Sequence, residues 1–321
     1  MVFRPRFPLS GWFHGVFRAV VPRFAKVSDM RNDKVQVVFA VNDLYCLPLL
    51  VTLQSLRESN PDIAEHAHVT VLHQNLRPES AERIGVRCDR LGLSVELRAA
   101  PLPDLPYNLC FGATLTHYLR FAIPELLAGH DRVLYLDADL VIKDDLRPLL
   151  TANLHGLPFG AVRDPNNPLY RYGRAAPGWR ALGIPDDREY FNSGVMLLDF
   201  SAGAGEVFDR ALRVIEDHSE MLRLHDQDAL NIAAADRWCR LPRRWNAFPF
   251  SALLRTEWIQ YGAEDLVPMA DLLAEEPDAA ILHYVTPSKP WLGLLPDGPA
   301  NDLYQAHLTT VLNAESELSI G

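Results

Sequence analysis

Val133-Leu134-Tyr135-Leu136-Asp137-Ala138-Asp139-Leu140-Val141-Ile142 is an apolar run interrupted once, by two carboxylates two positions apart. Its first half is short, β-branched or aromatic in part, and free of Gly and Pro, which reads as a buried strand. Side chains alternate faces along extended backbone, so Asp137 and Asp139 project to the same side where that strand ends. An isolated carboxylate loses far more hydration than a core returns, and the pair therefore predicts a cation between them. Mg²⁺ or Mn²⁺ fits, as a hard ion that takes carboxylate oxygens and completes its shell with substrate phosphates. The competing reading makes both aspartates turn or cap residues ahead of a short helix at Asp144-Asp145. Their position at a strand end, on the edge where open α/β sheets bind ligands, favours the cation.

On either side of this run, strands alternate with helices. Residues 35–41 read as a first strand and 44–56 as a helix with Leu47, Leu50, Val51 and Leu53 at helical spacing. Strands at 68–73 and 94–97 flank a helix at 78–91, and a Pro-rich loop over 100–112 leads into a helix at 114–127. The Asp137 run is thus about the fourth strand. Further strands are expected at 159–162, 191–199 and 280–284, helices at 205–222 and 228–235, and an irregular segment over 164–189. Alternation of this kind implies an α/β fold with a parallel sheet covered on both faces and ligands along the strand C-terminal edge. No G-x-G-x-x-G follows the first strand, which removes the dinucleotide oxidoreductases. There is no internal repeat and no linker dividing two domains.

The chain has 321 residues, 48% hydrophobic and 22% charged, a globular composition long enough for a substantial core. Net charge is −10, but residues 1–28 hold Arg4, Arg6, Arg18, Arg23 and Lys26 and no acid, leaving 26 basic against 41 acidic groups in the remainder. An acidic body excludes a broad nucleic-acid surface and suits a bound divalent ion. Cys46, Cys88, Cys110 and Cys239 are far apart, without a C-x-x-C pair, which suggests a reducing, cytoplasmic setting and no thiolate zinc site. No segment approaches the roughly 20 apolar residues of a membrane span. Trp12, Phe13, Val16, Phe17, Val20 and Val21 lie at helix-like spacing among the N-terminal basic residues. That stretch reads as a peripheral contact with the inner face of a membrane, or else as sequence ahead of a start at Met30.

A second informative stretch is His283-Tyr284-Val285-Thr286-Pro287-Ser288-Lys289-Pro290-Trp291. A His just past a strand can supply a third metal ligand, and Lys289 is a point charge suited to phosphate. Taken alone, such a His is more often structural. In chain order, Phe39-Ala40-Val41-Asn42-Asp43-Leu44-Tyr45, Tyr118-Leu119-Arg120-Phe121, the Leu-Tyr-Leu-Asp-Ala-Asp run, Asn192-Ser193-Gly194-Val195, Asp226-Gln227-Asp228-Ala229-Leu230-Asn231 and the His283 stretch together resemble the retaining glycosyltransferases of family 8. Six motifs in order, spanning about residues 35–291, make a specific signal.

The resemblance implies a single Rossmann-like nucleotide-sugar-binding (GT-A) fold with a mixed central sheet. It implies a basic, aromatic extension over 1–33, the transferase domain over 34–295 and a helix or tail over 296–321. Its metal ligands are Asp137, Asp139 and His283, holding Mn²⁺ or Mg²⁺. Ala40, Asn42 and Tyr45 are implied at the nucleotide, Arg120, Asn192 and Ser193 at the donor sugar or phosphate, and Thr286 and Lys289 at the diphosphate. Asp226 would hold sugar hydroxyls, with Gln227 at the reactive face as the second catalytic residue. Two positions depart from the family pattern: Thr286 replaces a common Gly, and Asn42 stands where an acid is frequent. The implied reaction moves glucose or galactose from a UDP-sugar to a hydroxyl of a glycan or lipid-linked glycan, with retention. Gln is a poor nucleophile, which favours front-face attack over a covalent intermediate. Two rivals remain at this stage. One is a haloacid-dehalogenase-like phosphatase, which places D-x-D on its first strand, and the other a non-catalytic sugar-nucleotide-binding module.

Overall fold

The computed structural model describes residues 34–109, 114–172 and 175–318. The basic segment over 1–28, the Met30 start and Cys110 lie outside those residues. The strands are β1 Val35–Val41, β2 Ala67–His73, β3 Val95–Ala99, β4 Arg132–Leu136, β5 Leu140–Ile142, β6 Phe159–Arg163, β7 Phe191–Asp199, β8 Cys239–Arg240 and β9 Ile281–His283. Seven of them form one sheet in the order β3-β2-β1-β4-β7-β6-β8, while β5 and β9 pair as a separate two-stranded ribbon. The β1–β2, β1–β4, β2–β3 and β6–β8 pairs are parallel. β7 is antiparallel to both its neighbours, β4 and β6. The sheet is therefore mixed, mostly parallel, with one reversed strand.

Both faces are covered, which is why the strands read as continuous apolar runs. Along β1, Val37, Phe39 and Val41 enter one core cluster while Val38 and Ala40 enter the other. β4 divides in the same way, Leu134 and Leu136 to the first cluster and Val133 and Tyr135 to the second. Each such apolar side chain, fully withdrawn from water, stabilises the fold by about 1.5–3 kcal/mol before entropy is counted. The first cluster lies under the Cys46–Ser59 helix and takes in Ala300, Tyr304, Leu308 and Val311 of the Pro299–Leu318 helix. The second is closed by Val207, Phe208, Ala211 and Ile215 of the Ala204–His218 helix.

Several elements differ from the sequence expectation. The helix expected at 114–127 is a 3-10 helix over Leu115–Ala122 followed by one α turn, Ile123–Leu126. A Thr114–His117 capping box starts it, and period-three packing puts Tyr118 and Phe121 on one buried ridge. The helix expected at 228–235 begins earlier, at His225, so Asp226, Gln227 and Asp228 all fall in its first turn. β4 ends at Leu136, close to the expected strand end, and a second strand not expected from sequence follows, with Leu140 opening the ribbon with β9. Buried Ala138, between the two aspartates, carries the chain from one sheet to the other.

Candidate active site

The reversed direction of β7 positions the site. Its N-terminal end meets the C-terminal ends of β4 and β6, with Leu136 opposite Val195 and Val162 opposite Asn192. The β6–β7 register shifts between Ala161 and Val162, which takes Ser193 and Gly194 out of the ladder. Their amides bond side chains instead: Ser193 N donates to Gln227 Oε1 at 3.0 Å and Gly194 N to Asn192 Oδ1 at 3.0 Å. Asp137 N donates to the Gly194 carbonyl at 2.8 Å, which seats the first aspartate at the gap. Leu140 pairs with His283 across the ribbon, which brings the histidine beside Asp139.

One ligand atom from each of Asp137, Asp139 and His283 lies within 4.8 Å of the others. His283 Nε2 is 3.7 Å from Asp137 Oδ2 and 3.4 Å from Asp139 Oδ1. A hydrogen-bond relay decides what that nitrogen offers. Asn192 Oδ1 accepts the Gly194 amide, so the Asn246 atom 2.8 Å from it is a donor, Nδ2. Asn246 Oδ1 must then be the atom 2.9 Å from His283 Nδ1, which puts the ring proton on Nδ1. In the neutral ring, the Nε2 lone pair faces two carboxylate oxygens. With Nε2 unprotonated, three lone pairs converge and repel, and a divalent cation relieves that repulsion as a proton on Nε2 otherwise would. Two carboxylate oxygens and an imidazole nitrogen fit such an ion. Gly194 makes room for this: a Cβ there would stand 2.3 Å from His283 Cε1 and 2.8 Å from Asp137 Oδ2.

Both carboxylates are held from behind. Asp137 Oδ1 accepts from Arg120 Nη2 at 2.9 Å and from the Tyr135 hydroxyl at 2.8 Å. Burial pushes the Tyr135 phenol far above its ordinary range, so it remains a donor. Asp139 Oδ2 accepts from Lys289 Nζ at 2.6 Å. Burial alone would raise the Asp139 pKa, but Lys289 and then His283 outweigh it and hold the carboxyl well below the usual range. Arg120 itself is enclosed: Nη1 donates to the Ser193 carbonyl at 2.7 Å, Nε pairs with Asp226 Oδ2 at 2.9 Å, and the guanidinium lies 4.2 Å from the Tyr135 ring centroid.

The His225–Ala234 helix supplies the neighbouring wall. Four residues advance a helix about 6 Å and two advance a strand about 6.7 Å, so Gln227 and Asn231 match Ser193 and Phe191 of β7. Asn231 Oδ1 accepts from Phe191 N at 2.8 Å, and its Nδ2 donates to Phe191 O at 2.9 Å. Asp228 is fully buried and receives the Tyr190 hydroxyl at 2.6 Å and the Arg223 and Leu224 amides at 2.6 and 2.8 Å. Asp226 is also buried, and that burial raises its pKa against the opposing pull of Arg120.

Of the residues singled out from sequence, Asp137, Asp139, His283, Arg120, Lys289, Asn192, Ser193, Asp226 and Gln227 are joined by these contacts. Tyr45 joins more loosely, its ring edge-on to Trp291 at 5.7 Å. Asn42 is occupied locally: Oδ1 caps the Leu44 and Tyr45 amides, and Nδ2 donates to Thr116 Oγ1 at 3.0 Å. Ala40 packs in the core, and Thr286 is buried with no hydrogen-bond partner recorded for its hydroxyl among the described residues. Sequence reasoning missed Asn246, whose role depends on partners 54 and 37 positions away. It also missed Asp164, which follows β6 as Asp137 follows β4. Asp164 Oδ2 lies 3.4 Å from both Gln227 Nε2 and Asn192 Nδ2, and burial raises its pKa. The strand-end rule applied to Asp137 would have found it. A cavity of about 610 Å³ also reaches Asn246, lined by Val162, Phe248, Phe250 and Leu272 with the Arg243–Glu275 and Arg244–Asp144 pairs. Size favours that cavity, whereas the convergence of two carboxylate oxygens and an imidazole nitrogen favours the aspartate–histidine cluster.

Known proteins resemble the chain over nearly all of this architecture. A family model described as glycosyl transferase family 8 matches residues 36–294. General stress protein A of Bacillus subtilis is 26% identical over 270 residues, covering 82% of this chain and 89% of that protein. Lipopolysaccharide 1,3-galactosyltransferase of Salmonella typhimurium is 24% identical over 273 residues, covering 84% and 75%. Among solved structures, the galactosyltransferase LgtC in complex with donor and acceptor sugar analogs superposes with a TM-score of 0.67 at 23% identity, over 86% of this chain and 96% of that one. That likeness establishes the fold.

Proposed function

The chain belongs to glycosyltransferase family 8, and on that premise we propose that it is a metal-dependent retaining hexosyltransferase. It moves glucose or galactose from a UDP-sugar to a hydroxyl of a glycan or lipid-linked glycan. The lipopolysaccharide hexosyltransferase among its relatives supports that substrate class. The observation that carries the reading is the convergence of Asp137 Oδ2, Asp139 Oδ1 and the His283 Nε2 lone pair. These three would hold Mn²⁺ or Mg²⁺, and the imidazole favours Mn²⁺, the softer of the two. When bound, such an ion supplies charge neutralisation for a departing diphosphate.

The chain's own groups do the rest. Arg120 and Tyr135 fix Asp137, and Asn246 fixes the histidine tautomer, so the ligand atoms are pre-organised. Ala40, Asn42 and Tyr45 line the nucleotide end, Asn42 through the loop it caps. Asn192 and Ser193 line the sugar end, and Thr286 and Lys289 face the diphosphate. Asp226 receives sugar hydroxyls. Gln227 stands at the reactive face, but its oxygen is bound to the Ser193 amide. A carbonyl oxygen already accepting a hydrogen bond is a weaker nucleophile still, which supports front-face attack over a glutamine adduct. Residues 34–295 form the transferase domain, with 1–33 as an extension that brings the enzyme to the inner face of a membrane and 296–321 as a closing helix and tail. No helix among the described residues is long and apolar enough to cross a membrane.

The test is calorimetric titration of UDP, UDP-glucose and UDP-galactose in Mn²⁺ and in chelator, followed by sugar-release assays. Metal-dependent binding with slow release of hexose supports the assignment. Equal binding in chelator and in Mn²⁺ refutes it.

A further inference from the structure

Lys289 has two hydrogen-bonded commitments, and its ammonium lies 5.3 Å from the Trp291 ring centroid. Its ammonium donates to Asp139 Oδ2 at 2.6 Å and to the Tyr284 carbonyl, and the residue is only 8% exposed. An ammonium has three N–H groups, so one remains for an anion. Asp139 is divided accordingly, with Oδ2 on the lysine and Oδ1 toward His283. Asp137 is divided the same way, with Oδ1 on Arg120 and Oδ2 toward His283. Each ligand carboxylate thus presents one oxygen to a cation position while its other oxygen already carries a positive partner.

The charge balance has a consequence. A dication arriving alone meets carboxylates whose charge is already countered in part, Asp139 by Lys289 and Asp137 by an Arg120 that also serves Asp226, with both cations a few ångströms away, and at that range like charges matter even in a water-rich dielectric. A nucleotide diphosphate arriving with it brings at least two negative charges and an acceptor for the third lysine N–H. Arg120 cannot respond, since Asp226, the Ser193 carbonyl and the Tyr135 ring hold it as well. Lys289 can, because a four-carbon stem swings its point charge at little cost.

We infer that Lys289 is a positioning residue that makes cation binding conditional on the diphosphate. It keeps Asp139 oriented and neutralised, and it gives up part of that pairing only when nucleotide and ion arrive together. This rests on the metal-dependent transferase reading and adds a binding order to it.

Mn²⁺ affinity of the full chain, measured by electron paramagnetic resonance of the free ion with and without UDP, tests the inference. In the wild-type protein, UDP should tighten Mn²⁺ binding by about a hundredfold or more. In Lys289→Met and Lys289→Gln, Mn²⁺ alone should bind about tenfold tighter, and the tightening by UDP should shrink by about tenfold. Lys289→Arg, which keeps the charge, should stay near wild type. Unchanged or weaker Mn²⁺ affinity without UDP in folded Met and Gln variants overturns the inference and leaves the transferase reading standing. A wild-type chain that binds no Mn²⁺ even with UDP overturns both. A merely structural role for the lysine would lower both affinities in parallel, which also overturns it.

Discussion

The aspartate–histidine cluster and the first turn of the His225–Ala234 helix adjoin each other and share Arg120, yet they are built on opposite principles. In the helix turn, Gln227, Asp228 and Asn231 each spend their polar atoms on protein partners, mostly the entering end of β7. In the cluster, His283 Nε2 faces two carboxylate oxygens at 3.4 and 3.7 Å, a set that becomes three acceptors when the ring is neutral. Apart from Asp226, the first region is complete by itself and acts as a rigid wall. The second is finished only by a cation, and the surrounding hydrogen bonds serve to hold it in that unfinished arrangement.

Substitutions should separate the two regions by what they change. The largest effect is expected for Asp139→Asn or Asp137→Asn. Hexose transfer should fall by about a thousandfold or more and Mn²⁺-dependent UDP affinity should vanish, as read by calorimetry. Survival of that affinity in both variants would mean the cluster holds no ion. Gly194→Ala forces the His283 ring away from the space its Cβ needs. Mn²⁺ affinity in the presence of UDP should drop by about a hundredfold, with a folded far-UV spectrum. Asn246→Ala releases the imidazole proton from Nδ1, and a loss of about ten- to a hundredfold is expected in the same titration. In the complete region the effect should be on stability instead. Tyr190→Phe leaves a buried Asp228 oxygen without its hydroxyl donor, costing about 1–2 kcal/mol in urea unfolding while Mn²⁺ affinity stays put. If Tyr190→Phe weakened metal binding as much as Asn246→Ala, the contrast between the regions would collapse.

The smallest effect is a pH difference. Lys289 holds Asp139 below its ordinary value of 3.8, so the folded chain binds fewer protons there than the unfolded one in the window beneath that value. The pairing therefore contributes stability that is present above about pH 4 and is lost as pH falls through the lowered value. Comparing melting curves of wild type and Lys289→Met at pH 5 and pH 3 isolates it. The wild-type advantage should narrow at the lower pH, and a constant gap would mean that the pairing is not what sets the carboxyl.

This contrast also explains what was legible in the sequence. The longer central strands announced themselves because they are apolar runs buried on both faces, whereas β5 and the two-residue β8 left no such signal. Asp137 and Asp139 were legible because strand-end acids are unusual for a core, while His283 became legible as a ligand through the family resemblance. The reversal of β7 was not legible in residues 191–199 themselves, since a strand buried on both faces has the same pattern in either direction. The family resemblance supplied the mixed sheet, and the periodicity alone suggested a parallel one. The end of β4 was legible at the aspartates, but the short β5 that follows was not, since three apolar residues are too few to distinguish a strand from a loop. Asp164 was legible as a strand-end acid and was passed over, whereas Asn246 was invisible for another reason. A polar residue in a turn acquires meaning only from distant partners, and no local period records them.

The cluster draws on parts of the chain that leave the ribosome far apart in time. Asp139 and Lys289 are separated by 150 positions, so during synthesis the two aspartates emerge long before the histidine and the lysine that complete and balance them. A growing chain therefore carries a pair of acids with no defined geometry between them, and selectivity for one ion over another cannot exist until the ribbon strand at 281–283 has docked. The site is among the last features of this protein to form, which makes metal loading a report on finished folding.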